Sequence, residues 1–171
     1  MAVASRRGLS LVETTIAVLL LGLTLVAALQ SVGATAKSQI IHKRRAQAVA
    51  LADALLAEIA QLPYEDPTDG GASIGLDTGE SAGDRTTFDD IDDYEGWSGD
   101  PPVDADGNAI DGASAFRREV KVKWKSLTNP NANSAGDQGL KEIEVKVYVN
   151  NDLMVSLTAL RSRAGDEQIN D

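Results

Sequence analysis

Between Leu9 and Leu29 the chain reads LSLVETTIAVLLLGLTLVAAL, 21 positions that carry one charge, Glu13. A helix needs about 20 apolar residues to cross a bilayer, so this stretch has the length of a membrane span. Arg6 and Arg7 precede it and suit an inside N-terminus, while Lys37, Lys43, Arg44 and Arg45 beyond its far end weaken the argument from charge. The helical pattern continues outward. In KSQIIHKRRAQAVALADALLAEIAQL, residues 37–62, Ala48, Ala52, Leu55, Leu56, Ile59 and Leu62 fall on one stripe at spacings of three and four. Pro63 ends it. One helix over residues 11–62 would run about 78 Å at 1.5 Å per residue. Its outer half is rich in alanine, which favours helix and leaves a thin surface against which a sheet can pack. Lys43, Arg44, Arg45 and the single histidine, His42, read as a solvated collar rather than a ligand set.

Beyond Pro63 the composition changes. From Tyr64 to Ala115 there are 15 acidic residues against Arg85 alone, in a background of Gly, Asp, Ser and Pro that is compatible with disorder. FDDIDDYEGW, residues 88–97, argues for partial order, because Phe, Ile, Tyr and Trp interleaved with aspartates need something to dock on. From Phe116 the period becomes two. Phe116, Val120, Val122 and Trp124 alternate with Arg117, Glu119, Lys121, Lys123 and Lys125, a half-buried strand with a basic outer face. Ile143, Val145, Val147 and Val149 form a second strand, Asn150-Asn151-Asp152 a turn, and Leu153, Val155 and Leu157 the start of a third strand facing the same side. Three antiparallel strands with one apolar face need a cover, and the alanine-rich part of the helix supplies it. The expected fold is therefore α+β, a long N-terminal helix on a C-terminal antiparallel sheet. The chain divides into a leader (1–8), an apolar helix (9–29), the outer half of the helix (30–62), an acidic loop-rich region (63–115), a sheet (116–163) and a frayed tail (164–171).

Composition excludes several functions. The 171 residues hold one ordinary domain beside an apolar segment, not a multidomain enzyme. Lys and Arg total 16 against 26 Asp and Glu, and a net charge of −10 argues against nucleic acid as a partner. The absence of cysteine removes thiol nucleophiles, thiolate zinc sites and disulfides, and one histidine leaves no multi-histidine metal centre. No nucleophile stands beside a base in a hydrolase motif, so the chain reads as non-enzymatic.

Three readings of the N-terminus compete. Arg6-Arg7, the apolar run and Ala34-Thr35-Ala36 have the order of a cleaved secretory signal, and Ser5-Arg6-Arg7-Gly8-Leu9 has a twin-arginine look. A retained signal anchor is the second. Glu13 stands against both, since a carboxylate inside an apolar run is costly in hydrocarbon unless it has a partner or a task. The third reading follows from the residue order itself: a short basic leader ending in Gly8, an apolar Leu9, three residues, then Glu13 and a continuous apolar helix. This resembles the N-terminus of type IV prepilins and type II secretion pseudopilins, over roughly the first thirty residues, with Leu9 where the family usually has Phe.

The resemblance implies cleavage after Gly8 by a prepilin peptidase, methylation of the new N-terminus at Leu9, and assembly with other pilin or pseudopilin subunits through the apolar helix. It implies that Glu13 pairs with the terminal ammonium of a neighbouring subunit, the pairing that makes a buried carboxylate tolerable. It further implies a precursor in inner-membrane lipid, single-pass with its head in the periplasm, then a periplasmic pseudopilus or a surface pilus. The missing cysteines, where the family usually closes a C-terminal disulfide loop, tilt the comparison toward a minor pilin or a pseudopilin. Residues 88–97 are similar to the Asp-Asp-Tyr stretch of minor pilins of the mannose-sensitive haemagglutinin type. On that reading the acidic region faces outward.

Asp104-Ala105-Asp106-Gly107-Asn108-Ala109-Ile110-Asp111 places oxygens at alternate positions around a glycine. Asp104, Asp106, Asn108 and Asp111 are thus candidate calcium ligands, although an EF-hand's twelfth-position Glu is missing and Asp-Gly-Asn is also an ordinary turn. The rival functional class is a secreted or membrane-anchored acidic binding module that uses this calcium-dependent loop.

Overall fold

The structure is a computed structural model and describes residues 10–67 and 73–167. Gly8 and Leu9 lie outside the described residues. Two compact units divide the chain, residues 1–43 and 44–171. A single α-helix, α1, runs Leu11–Ile59. It is three residues shorter than the hydrophobic stripe suggested, because the last turn tightens before Pro63: Gln61 N and Leu62 N donate to the carbonyls of Glu58 and Ile59, three residues back.

In the second unit, four antiparallel strands lie in the order β1 (Ser98–Gly99), β2 (Phe116–Trp124), β3 (Leu140–Val149) and β4 (Asp152–Ser162), followed by a short helix α2 (Arg163–Glu167). Ala48, Leu51, Ala52, Leu55 and Ile59 of α1 pack into one core with Phe116, Val120, Val122, Ile143, Val145 and Val147 of the sheet. Ala48 and Ala52 are completely enclosed, as expected where small side chains let a sheet approach the helix axis. The α+β layout, a long apolar N-terminal helix on an antiparallel sheet, is thus present, with one strand more than the alternation indicated. That strand comes from the acidic region, which had no two-residue period to announce it.

Four details depart from the sequence expectation. Leu153 is 52% exposed and does not share a face with Val155 and Leu157. The pairing explains it: Val147 stands opposite Val155 but Tyr148 opposite Leu153, so β4 carries an extra residue, Met154, which packs on the core in its place. Lys125 is not on a solvated face but buried, held by Glu142 at 3.1 Å and by Asn133 Oδ1 at 3.1 Å. Arg118 occupies the inward row between Phe116 and Val120, where alternation has no place for a charge, and is buried. Residues 164–167, expected in the frayed tail, form a helical turn with Arg163.

The β3–β4 connection is two residues long, Asn150 at φ 50° and Asn151 at φ 69°. Positive φ at both centres is the hairpin geometry that matches strand twist, and asparagine tolerates it better than other side chains. The expected stability consequences separate the two faces. Ile143→Ala should lower the unfolding free energy in urea by about 2–5 kcal/mol, and Leu153→Ala should change it by no more than about 0.5 kcal/mol; equal losses would place the bulge elsewhere.

Candidate functional site: an exposed apolar helix and an inward-turned acidic segment

From Leu11 to Ile41 every described side chain of α1 is exposed in the isolated chain, including Leu11, Val12, Ile16, Val18, Leu19, Leu21, Leu25 and Leu29. The helix is long and apolar enough to cross a membrane, and none of its apolar window is buried within the chain. Its threonine hydroxyls are satisfied locally. Thr14, Thr15 and Thr24 hydroxyls donate to the carbonyls of Leu11, Val12 and Leu21, and Thr35 to Ser31, each at 2.9 Å. Internal satisfaction of this kind is what a helix surrounded by hydrocarbon requires. Glu13 lies in the first turn, where unpaired backbone N–H groups and the helix dipole favour a carboxylate. Ser10 and Glu13 also have the spacing of a capping box. His42 sits on the exposed part of the same helix.

The acidic segment does not simply face outward. Phe88, Ile91, Tyr94 and Trp97 enter the core, with Tyr94 edge-on to Phe88 at 5.0 Å and to Trp97 at 6.2 Å between centroids. The aspartates between them turn inward as well. Asp90 Oδ1 accepts from Asp92 N (2.5 Å) and Asp93 N (3.3 Å), and Asp93 Oδ2 accepts from Asp89 N (2.9 Å) and Asp90 N (3.0 Å), so the tight 3₁₀ turn at Asp92–Tyr94 is tied by its own carboxylates. Asp92 Oδ2 meets Lys141 Nζ at 2.8 Å with both side chains enclosed, and the same ammonium donates to the Tyr64 carbonyl. Tyr94 Oη donates to Glu58 Oε1 at 2.8 Å, and Arg85 reaches the same oxygen at 3.3 Å. Glu95 Oε2 accepts from Val122 N at 2.5 Å.

Burial governs the protonation of these groups. Desolvation lifts Asp93 to about 8, helped by the Glu80 carboxyl beside it. Asp90 rises to about 6 by desolvation and the charge of Asp92. Asp92 is raised by desolvation against the opposing pull of Lys141. Desolvation, with Arg85 nearby, lowers Arg118 to about 10.

The Asp104 loop closes as a turn. Val103 and Ala109 form a bridge, Gly107 takes φ 82°, and Asp104 accepts from Asp106 N (3.0 Å), Asn108 N (2.7 Å) and Asn108 Nδ2 (3.2 Å). The Asn108 backbone bond holds the Asp104 carboxyl below its ordinary range. Asp104, Asp106 and Asn108 therefore come together as a hairpin, with the Asp104 oxygens turned to N–H groups, while Asp111 lies exposed beyond the bridge. The turn and the calcium pattern share a sequence signature, which is why spacing alone left both open.

No protein-family model, curated protein or solved structure matches the chain.

Breaking the enclosed pair by one side should be severe. Lys141→Met leaves Asp92 buried without its cation and should cost about 3–5 kcal/mol in urea unfolding followed by Trp97 and Trp124 fluorescence. The double change Lys141→Met with Asp92→Leu should recover much of that loss; failure to recover would show that the Tyr64 carbonyl contact matters more than the charge pair.

Proposed function

We propose that the chain is a structural, non-enzymatic subunit of a type IV pilus or type II secretion pseudopilus, a minor pilin or pseudopilin, assembled through its apolar N-terminal helix. The observation that carries this reading is α1 itself: an apolar surface exposed around its circumference from Leu11 to Leu29, with Glu13 in its first turn. Such a surface has to be covered by lipid, by other helices, or by each in turn. A span needed only as an anchor has no use for a carboxylate at that depth, whereas a helix that leaves lipid for a bundle can pair it with a neighbour's terminal ammonium. The layout of the head, with the C-terminal part of the helix on an antiparallel sheet, is the one the resemblance implies. Prepilin peptidase would cut the inner-membrane precursor between Gly8 and Leu9, leaving the head in the periplasm.

The mass of the mature N-terminal peptide from native membranes tests processing. A start at Leu9, with or without one methyl, is expected. A start at Lys37 means a secreted acidic protein and a start at Met1 or Ala2 a simple anchor, and either removes the filament reading. The role of Glu13 is tested by Glu13→Gln, because glutamine can still cap a helix start but carries no charge. The variant should reach the membrane in normal amount and fail to enter filaments; incorporation at the normal level would reduce Glu13 to a capping residue.

A further inference from the structure

One carboxyl in the head has the geometry of a proton carrier. Asp93 is 2% exposed, and its two oxygens are in different situations. Oδ2 accepts from the backbone N–H groups of Asp89 (2.9 Å) and Asp90 (3.0 Å), whereas Oδ1 is enclosed and has no donor. The Glu80 carboxyl lies beside Asp93, and one oxygen each from Glu80, Asp89 and Asp93 fall within 4.8 Å of one another. Glu80 is half-buried, at the end of a turn closed by Glu80 N on the Asp77 carbonyl, and its Oε2 accepts from Asp77 N at 2.7 Å.

The groups that face this cluster are mostly negative. Asp90 adds its charge from the same turn, and Asp66, in the chain just after α1, faces Asp89. Asp77 and Asp137 act on Asp92. Lys141 of β3 pulls on Asp90 but is taken up by Asp92 and the Tyr64 carbonyl, while Arg85 and Glu58 of α1 are engaged with each other, Glu58 also with Tyr94 Oη. Carboxyls packed this closely, with one of them shut off from water, do not all ionise; one keeps a proton instead. Asp93 is the buried member, and Oδ1 is its oxygen left to carry the proton, because both N–H donors go to Oδ2.

We propose that a proton on Asp93 Oδ1, donated to the Glu80 carboxylate, latches the Asp77–Glu80 turn onto the Asp92–Tyr94 turn, and that loss of this proton releases the outer turn. Ile91 and Tyr94 anchor the inner turn in the core, so the more exposed turn is the one that moves. Burial, with the Glu80 bond, raises the Asp93 carboxyl from an ordinary 3.8 to about 8. The closed latch therefore binds the proton more tightly than the open one. Closure is fully favoured in acid, weakens about tenfold per unit as the pH rises toward 8, and levels off above it. Asp90, raised to about 6, weighs on the same equilibrium below that pH, and Asp89 and Asp92 are raised as well, so variants are needed to assign the proton. The latch is a property of the head and does not depend on the assembly reading.

Amide hydrogen exchange of the full-length chain in detergent micelles, corrected for the intrinsic effect of pH on exchange, reads the latch. Amides of residues 77–90 should lose protection about tenfold per unit between pH 6 and 8 and level off above, while β3 amides keep theirs. Asp93→Asn replaces the labile proton by an amide that always donates, and its remaining oxygen can still accept the two backbone N–H groups. It should keep the turn protected at pH 8 and remove the slope. Glu80→Gln supplies a permanent donor from the other side at a half-buried position, so it should flatten the profile with the fold intact. Asp104→Asn should leave the slope unchanged. If Asp93→Asn loses the fold, seen as lost protection in β3, Glu80→Gln decides alone. The proposal is overturned by protection that does not change between pH 6 and 8, by a slope that Glu80→Gln retains, or by one that Asp104→Asn abolishes.

Discussion

Lys141 is the point on which the head turns. Its side chain is 0% exposed, reaches through the core face of β3, and holds the Asp92 carboxylate and the Tyr64 carbonyl at once. Those two partners belong to segments that no strand ladder would otherwise fix: the chain just after α1, and the turn at the centre of FDDIDDYEGW. The ring of Tyr64 lies over the same ammonium at 4.1 Å, and its hydroxyl donates to Asp137 at 2.7 Å. A lysine in a β-strand thus fastens the helix exit, the acidic segment and the β2–β3 loop together. Such a pair contributes little net stability over an apolar equivalent, but removing either half leaves a stranded charge. Its value is in specifying one arrangement for a region of low hydrophobicity.

That arrangement shows what was legible in the sequence. The stripe of Ala48, Ala52, Leu55 and Ile59 and the alternation of Phe116, Val120, Val122 and of Ile143, Val145, Val147 were readable because burial on one face imposes a period. The Asn150-Asn151 turn was readable because positive φ narrows the choice of residue. Arg118 and Lys141 were not, since a charge on an apolar face contradicts the period and only the tertiary partner makes sense of it: the Val103 and Leu51 carbonyls and Trp97 for one, Asp92 for the other. The bulge at Met154 was invisible for a related reason, because a single inserted residue keeps the pattern and shifts its phase.

The candidate site divides along the same line. Glu13 stood out because one charge in 21 apolar positions is a local anomaly. The aspartates at 89, 90, 92 and 93 were hidden by abundance: among 15 acids, composition gives no means to tell which are solvated and which are tied into a turn. Ile91 and Tyr94 were the available signal. Their spacing of three places both in the core, and the neighbouring Asp90 and Asp93 carboxylates bend back onto the backbone, as the bonds from the Asp89, Asp90, Asp92 and Asp93 N–H groups record.

The two compact units are built for different surroundings. The described residues of the second unit bury an apolar face within themselves and enclose paired charges such as Asp92 and Lys141 beside it. The first described stretch does the reverse, with apolar side chains outward and threonine hydroxyls folded back on its own carbonyls. A surface of that kind is complete only when something outside the chain covers it. Lipid covers all faces equally and makes no distinction among them, whereas neighbouring helices cover particular faces and supply particular partners. On the proposed filament reading, Glu13 is the residue that would distinguish these environments, since hydrocarbon penalises its charge and a terminal ammonium would match it. A single carboxylate can in this way bias an otherwise featureless apolar helix toward protein contacts at one axial position.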